Sequence, residues 1–164
     1  MPIISLIAAI DENSAIGYDG DMLCYITSDL KRFKSITSEH TVIMGRKTFE
    51  SLPNGALPDR RNIVISKNES FNCIDCELTR SIEAAIELCK NEDEVFIIGG
   101  GELYMQIIDI ADKLYITQIR HKFEKADTYF PEIKKAEWTV MLQEVHKEQG
   151  DEYEYVFTIY SRKS

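Results

Sequence analysis

In the stretch GDMLCYITSDLKRFK (Gly20–Lys34) a mostly apolar run leads up to the carboxylate Asp29, and an amphipathic turn follows it. Two chemistries fit it. As an acid in the first turn of a helix capped by Thr27 or Ser28, it would simply complement the helix dipole. Walled in by Leu30 and Phe33, it would be a carboxyl of raised pKa, able to grip an amidine-like N–C–NH₂ edge through two hydrogen bonds. Two further stretches bring glycine or basic residues to the end of an apolar run. In VIMGRKTFES a β-branched segment ends at Gly45 and passes into Arg46, Lys47 and Thr48. In VFIIGGGELY another ends at Gly99, Gly100 and Gly101. Helix starts present unpaired N–H groups to phosphate, and glycines let backbone approach a ligand closely. Neither stretch is the G-x-G-x-x-G fingerprint. As a pair they fit a dinucleotide laid along one edge of a sheet, whereas either alone reads equally as an exposed strand–helix junction. In LPDRRNIVIS, Arg60 or Arg61 can fork onto a carboxylate or can belong to a charged loop.

Metal and thiol chemistry finds less support. Cys73 and Cys76 form one C-x-x-C, Cys24 and Cys89 stand apart, and His40, His121 and His146 are scattered. A lone C-x-x-C is a redox pair or half a zinc site. With no second pair and no secretory leader read at the N-terminus, free thiols in a reducing cytoplasm are expected, and no metal.

The elements that must position these residues are legible as alternating patterns. Near-continuous apolar runs at Ile3–Ile10, Thr41–Gly45, Asn62–Ser66 and Glu94–Gly100 predict strands buried on both faces, and Lys113–Ile119 a more alternating one. Helical spacing begins at Ser28. It recurs over Arg80–Asn91, with Ser81 as cap, and over Gly101–Ala111, where Leu103, Ile107 and Ile110 form a stripe. WTVMLQEV and YEYVFTIYSR predict a terminal antiparallel hairpin. The 164 residues therefore read as one α/β domain, 1–164, with a mostly parallel central sheet, helices on both faces and a C-terminal antiparallel hairpin. No apolar run is long enough for a bilayer-spanning helix. The net charge of −9 argues against a nucleic-acid surface. The segment Gly45–Asn68 is nevertheless locally +3, which suits either a small polyanion or a solvated face.

Taken in order, ISLIAAID, AIGYDGDM, SDLKRFKSIT, VIMGRKTFESL, ALPDRRNIVIS, IIGGGELY, LYITQI and DTYFPEI closely resemble the dihydrofolate reductase family, from Ile3 to Trp138 with a closing hairpin to Arg162. The resemblance implies NADPH-dependent reduction of dihydrofolate to tetrahydrofolate by hydride transfer to C6 and protonation at N5, in a cytoplasmic monomer. It implies that Asp29 holds the pterin and assists protonation, that Thr117 bonds Asp29 and the pterin 2-amino group, and that Met22 belongs to the active-site lid. Ile7, Leu30, Phe33, Leu52, Leu57 and Ile98 match apolar walls of the substrate site, and Arg60 matches the arginine that takes the glutamate α-carboxylate. On the cofactor side Ala9, Ile16, Ser51 and Tyr104 match the nicotinamide region. Gly45, Arg46, Lys47, Thr48, Gly99, Gly100 and Gly101 match the phosphate turns, with a cis peptide bond at Gly99–Gly100, while Arg46, Ser66 and Lys67 suit the 2′-phosphate.

The chain also departs from the family pattern. Met22-Leu23-Cys24 replaces the usual Met or Leu followed by Pro-Trp, with Tyr25 as the nearest ring to fill the missing volume. Glu102 follows the glycines where some members carry a base, and Ala126 precedes Asp127 where glycine is usual. These differences leave two alternatives: a folate- and NADPH-binding protein with weak turnover, or an enzyme whose reshaped lid lowers the affinity of diaminopyrimidine antifolates.

Overall fold

The computed structural model describes residues 1–68, 70–147, 150 and 152–164. Its elements in chain order are β1 (Ile3–Ile10), β2 (Ala15–Tyr18), β3 (Asp21–Met22), α1 (Thr27–Thr37), β4 (Thr41–Gly45), α2 (Arg46–Ser51), β5 (Arg61–Ile65) and β6 (Glu77–Thr79), then α3 (Ile82–Leu88), β7 (Glu94–Gly99), α4 (Gly101–Ile107), β8 (Lys113–Ile119), β9 (Thr128–Tyr129), β10 (Trp138–His146) and β11 (Tyr155–Arg162). Eight strands form one sheet in the order β10-β11-β8-β1-β7-β4-β5-β6. From β8 to β6 every neighbouring pair is parallel, while β11 runs antiparallel to both β8 and β10. The mostly parallel sheet with its closing hairpin is therefore as expected.

Period-two alternation divides the core between the two faces of this sheet. On one side Ile4, Leu6, Ile43, Ile63, Val95 and Ile97 pack with Ile82 and Ile86 of α3 and with Leu103 and Ile107 of α4. On the other, Ile7, Val42, Met44, Val64 and Phe96 pack with Phe33 and Ile36 of α1 and Phe49 of α2. Both faces must be covered because parallel strands expose apolar side chains on each.

Two helices differ from expectation. Neither Thr27 nor Ser28 caps α1. Ile26 occupies the cap position without a side-chain bond, and the Ser28 hydroxyl instead lies 2.9 Å from that of Tyr155. A tertiary partner has drawn off the capping group. The last helix stops at Ile107, so Ile110 falls in the following turn at 55% exposure rather than on the buried stripe. Ser81 does cap α3, its hydroxyl accepting the Ala84 N–H at 3.1 Å. Contrary to the expectation of free thiols, Cys73 and Cys76 are joined as a disulfide with Cα atoms 5.6 Å apart; Cys24 and Cys89 are free. A small second sheet, β3-β2-β9, escaped the pattern because its strands are too short to show a period.

Candidate active site

The carboxyl ends of β1, β4, β7 and β8 lie side by side, which is where open α/β sheets bind ligands. Asp29 sits there in the first turn of α1, pointed at β8, where the Thr117 hydroxyl donates to its Oδ1 at 2.5 Å. Burial pushes the Asp29 carboxyl above its ordinary pKa. The Thr117 bond and the electrostatic influence of Arg32 and His146 oppose that rise. Asp29 therefore is an acid in the first turn of α1, as its position predicts, and also a half-buried carboxyl bonded by Thr117.

Beside it, Ile7, Phe33, Leu52, Leu57 and Ile98 gather in one apolar cluster. Leu30, at 39% exposure, stays outside that buried group. Arg60 stands at the far end of the cluster. Its Nε donates to the Pro58 carbonyl at 2.9 Å, one terminal nitrogen donates to Thr37 Oγ1 at 3.1 Å, and the guanidinium lies 5.9 Å from the Phe33 ring. The loop that carries it is fixed by the buried Asn62 amide, which bonds both the N–H and the carbonyl of Leu57 and the carbonyl of Arg60. Arg61 turns away into ion pairs with Glu77 and Glu92. Thr37 and Asn62 were missed from the sequence, since nothing local marks them as supports.

The two glycine-bearing junctions meet. Met44 pairs with Gly99 across β4 and β7, and a Cβ placed on Gly99 or Gly100 would lie within 3.6 Å of Thr48 Oγ1. Gly99 has φ +126°, a conformation that side chains rarely adopt, and the Gly99–Gly100 bond is cis. Neither α2 nor α4 has a side chain bonded at its cap. Tyr104 is buried, its hydroxyl donating to the Ile7 carbonyl at 2.7 Å, which ties α4 to β1. Ile16 packs near Gly101, and Ala9 is half-buried in the cluster around Tyr155 and Phe157. Ser51 bonds the Thr48 carbonyl at 2.7 Å, Arg46 pairs with Glu50, Lys47 and Lys67 are exposed, and the Ser66 hydroxyl accepts the Asn68 N–H at 3.0 Å. Uncapped turns, Gly99 held at positive φ, Gly101 with no room for a Cβ beside Thr128 Cγ2 at 2.7 Å, and flanking cations together fit a polyanionic dinucleotide.

Residues 3–162 match the family model described as dihydrofolate reductase. The chain belongs to the dihydrofolate reductase family. Dihydrofolate reductase of Staphylococcus haemolyticus is 44% identical over 160 residues, covering 97% of this chain and 95% of that one. The Bacillus subtilis enzyme is 39% identical over 163 residues, covering 99% and 96%. Among solved structures, dihydrofolate reductase from Enterococcus faecalis complexed with NADP(H) and RAB-propyl superposes with a TM-score of 0.90 at 30% identity, covering 99% and 97%.

The segment that the resemblance assigns to the lid forms the β2–β3 hairpin. Met22 is 41% exposed on β3. The β2–β3 turn is tied to the segment before β9, where Asp127 accepts the Asp19 N–H at 2.9 Å and donates its own N–H to the Gly17 carbonyl at 3.0 Å. Tyr25 does not replace the missing tryptophan. It is 56% exposed and its hydroxyl bonds Asp21. Cys24 packs instead in the cluster of Ile26, Tyr155 and Phe157 that also takes in Phe123 and Tyr153. Burial pushes its thiol up to about 11, so Cys24 is neutral at physiological pH.

Proposed function

We propose that this chain reduces 7,8-dihydrofolate to 5,6,7,8-tetrahydrofolate with NADPH, and that Asp29 is the acid on which the reaction turns. The observation that carries the assignment is the half-buried Asp29 carboxyl, fixed by Thr117 at the mouth of an apolar cleft whose other end holds Arg60. A carboxylate there accepts two hydrogen bonds from the pterin N3 and 2-amino group, with Thr117 sharing the latter. Burial raises the Asp29 carboxyl above its ordinary range, which favours its taking up the proton that N5 receives. Ile7, Leu30, Phe33, Leu52, Leu57 and Ile98 wall the ring system, and Arg60, preset by Thr37 and Pro58, forks onto the glutamate α-carboxylate. Met22 covers the reacting edge and excludes water. Gly45, Arg46, Lys47, Thr48, Gly99, Gly100 and Gly101 hold the pyrophosphate, with Ser66 and Lys67 beside the 2′-phosphate and Ala9, Ile16, Ser51 and Tyr104 around the nicotinamide. When bound, NADPH supplies the hydride that adds to C6.

Purified protein should oxidise NADPH only when dihydrofolate is present. Folded protein that binds both ligands but does not turn over would refute this reading. No helix among the described residues is long and apolar enough to cross a membrane. The chain is proposed to act as a single domain, 1–164, and as a cytoplasmic monomer. Light scattering that returned twice the 18.9 kDa mass would overturn the monomer.

A further inference from the structure

One polar cluster beside Asp29 has no place in the mechanism above. Arg32 lies under the C-terminal hairpin with its guanidinium 4.4 Å from the centre of the Phe157 ring. One terminal nitrogen donates to the Tyr155 hydroxyl at 3.2 Å, and the other is 2.9 Å from His146 Nε2. Tyr155 is fully buried, and its hydroxyl also meets that of Ser28 at 2.9 Å. Three residues from two strands therefore fix one cation, and Ser28 steadies one of them. They fix it next to the acid for two reasons. Asp29 and Arg32 are three apart on α1, and so are neighbours on its surface. Their docking points are also neighbours: Asp29 rests on Thr117 and Arg32 on Phe157, and Thr117 and Phe157 are directly paired across β8 and β11.

We propose that Arg32 is a positioning residue for the acid: clamped by Tyr155, His146 and Phe157, it holds a fixed positive charge beside Asp29 and sets the pH at which the reaction runs. The groups facing Asp29 are Arg32 on its own helix, Thr117 on β8, His146 on β10 and Cys24 in the preceding loop. Cys24 is neutral and is influenced in turn by Glu152; His146 also contacts Glu144 at 2.9 Å. Arg32 is thus the one permanent cation of the set. A fixed positive charge near a carboxyl lowers its pKa, and the half-exposed position of Arg32 tempers that effect by solvent screening.

The link to turnover rests on the role given to Asp29 above, so the test separates the two. The Asp29 side-chain carboxyl is titrated by carbon-13 NMR in ligand-free protein, and the pH profile of turnover is recorded in parallel. Arg32→Met keeps the aliphatic stem on Phe157 without the charge, and should move both midpoints up. Arg32→Lys should restore most of that shift. In a His146→Gln background the effect of Arg32→Met should persist. An NMR midpoint unmoved by Arg32→Met, an equal movement in Arg32→Met and Arg32→Lys, or a shift abolished by His146→Gln would each overturn the proposal. If instead Asp29→Asn retains parental turnover, the role of Asp29 fails, while the NMR titration still judges Arg32.

Discussion

Replacing Thr117 by valine removes one hydroxyl and keeps the shape of a side chain that is 3% exposed. The hydroxyl donates to Asp29 at 2.5 Å, and it is the largest of the influences that hold the carboxyl down against burial. Hydrogen bonds to charged groups are worth about 1.5–3 kcal/mol. At 1.36 kcal/mol per factor of ten, kcat/KM for dihydrofolate should fall roughly 10- to 100-fold in Thr117→Val. The same bond leaves a signature in stability. It favours the ionised carboxylate, so it stabilises the fold while Asp29 is ionised and is lost as pH falls through the Asp29 titration. Thr117→Val should therefore melt below the parent at neutral pH, with the gap narrowing on acidification. Steady-state kinetics and thermal melts across a pH series read both effects. A folded variant within about twofold of parental kcat/KM, or a melting gap that widens towards acid, would refute the reasoning.

Arg60→Gln removes a guanidinium preset by Thr37 and Pro58. The KM for dihydrofolate should rise about 10- to 100-fold with that for NADPH unchanged, and a pterin lacking the glutamate tail should not distinguish variant from parent. Gly101→Ala places a Cβ 2.7 Å from Thr128 Cγ2, overpacking worth about 1–3 kcal/mol. The melting point should drop by several degrees and recover when Thr128→Ser removes that methyl, which calorimetry would show. Asp29→Asn should melt above the parent at neutral pH. A carboxyl raised by burial binds its proton more tightly folded than unfolded, so the parent loses stability as pH rises through that window and the amide does not. The difference should vanish below it.

Much of this was legible in the sequence because the signals are local. The β-branched run Ile3–Ile10 and the glycines after Ile98 need only their own neighbours to declare a buried strand and a tight turn. What stayed hidden depends on distant partners. Ser28 is a good capping residue by type, yet its hydroxyl is claimed by Tyr155, 127 residues away. Arg32 reads as the solvated face of a helix until the C-terminal hairpin is folded over it. Asn62 looks like one polar residue entering a strand, and only the folded 57–60 loop gives its amide three partners. The Cys73–Cys76 pairing likewise follows from a turn that brings the two together, which spacing alone leaves open.

The central claim is that Asp29 handles the proton and anchors the pterin. Single-turnover mixing of Asp29→Asn with saturating NADPH and dihydrofolate at neutral pH, alongside fluorescence titration with NADPH, tests it most directly. The account expects the hydride step to slow by about 100-fold or more while NADPH binding is unchanged. A near-parental single-turnover rate in that variant would contradict it.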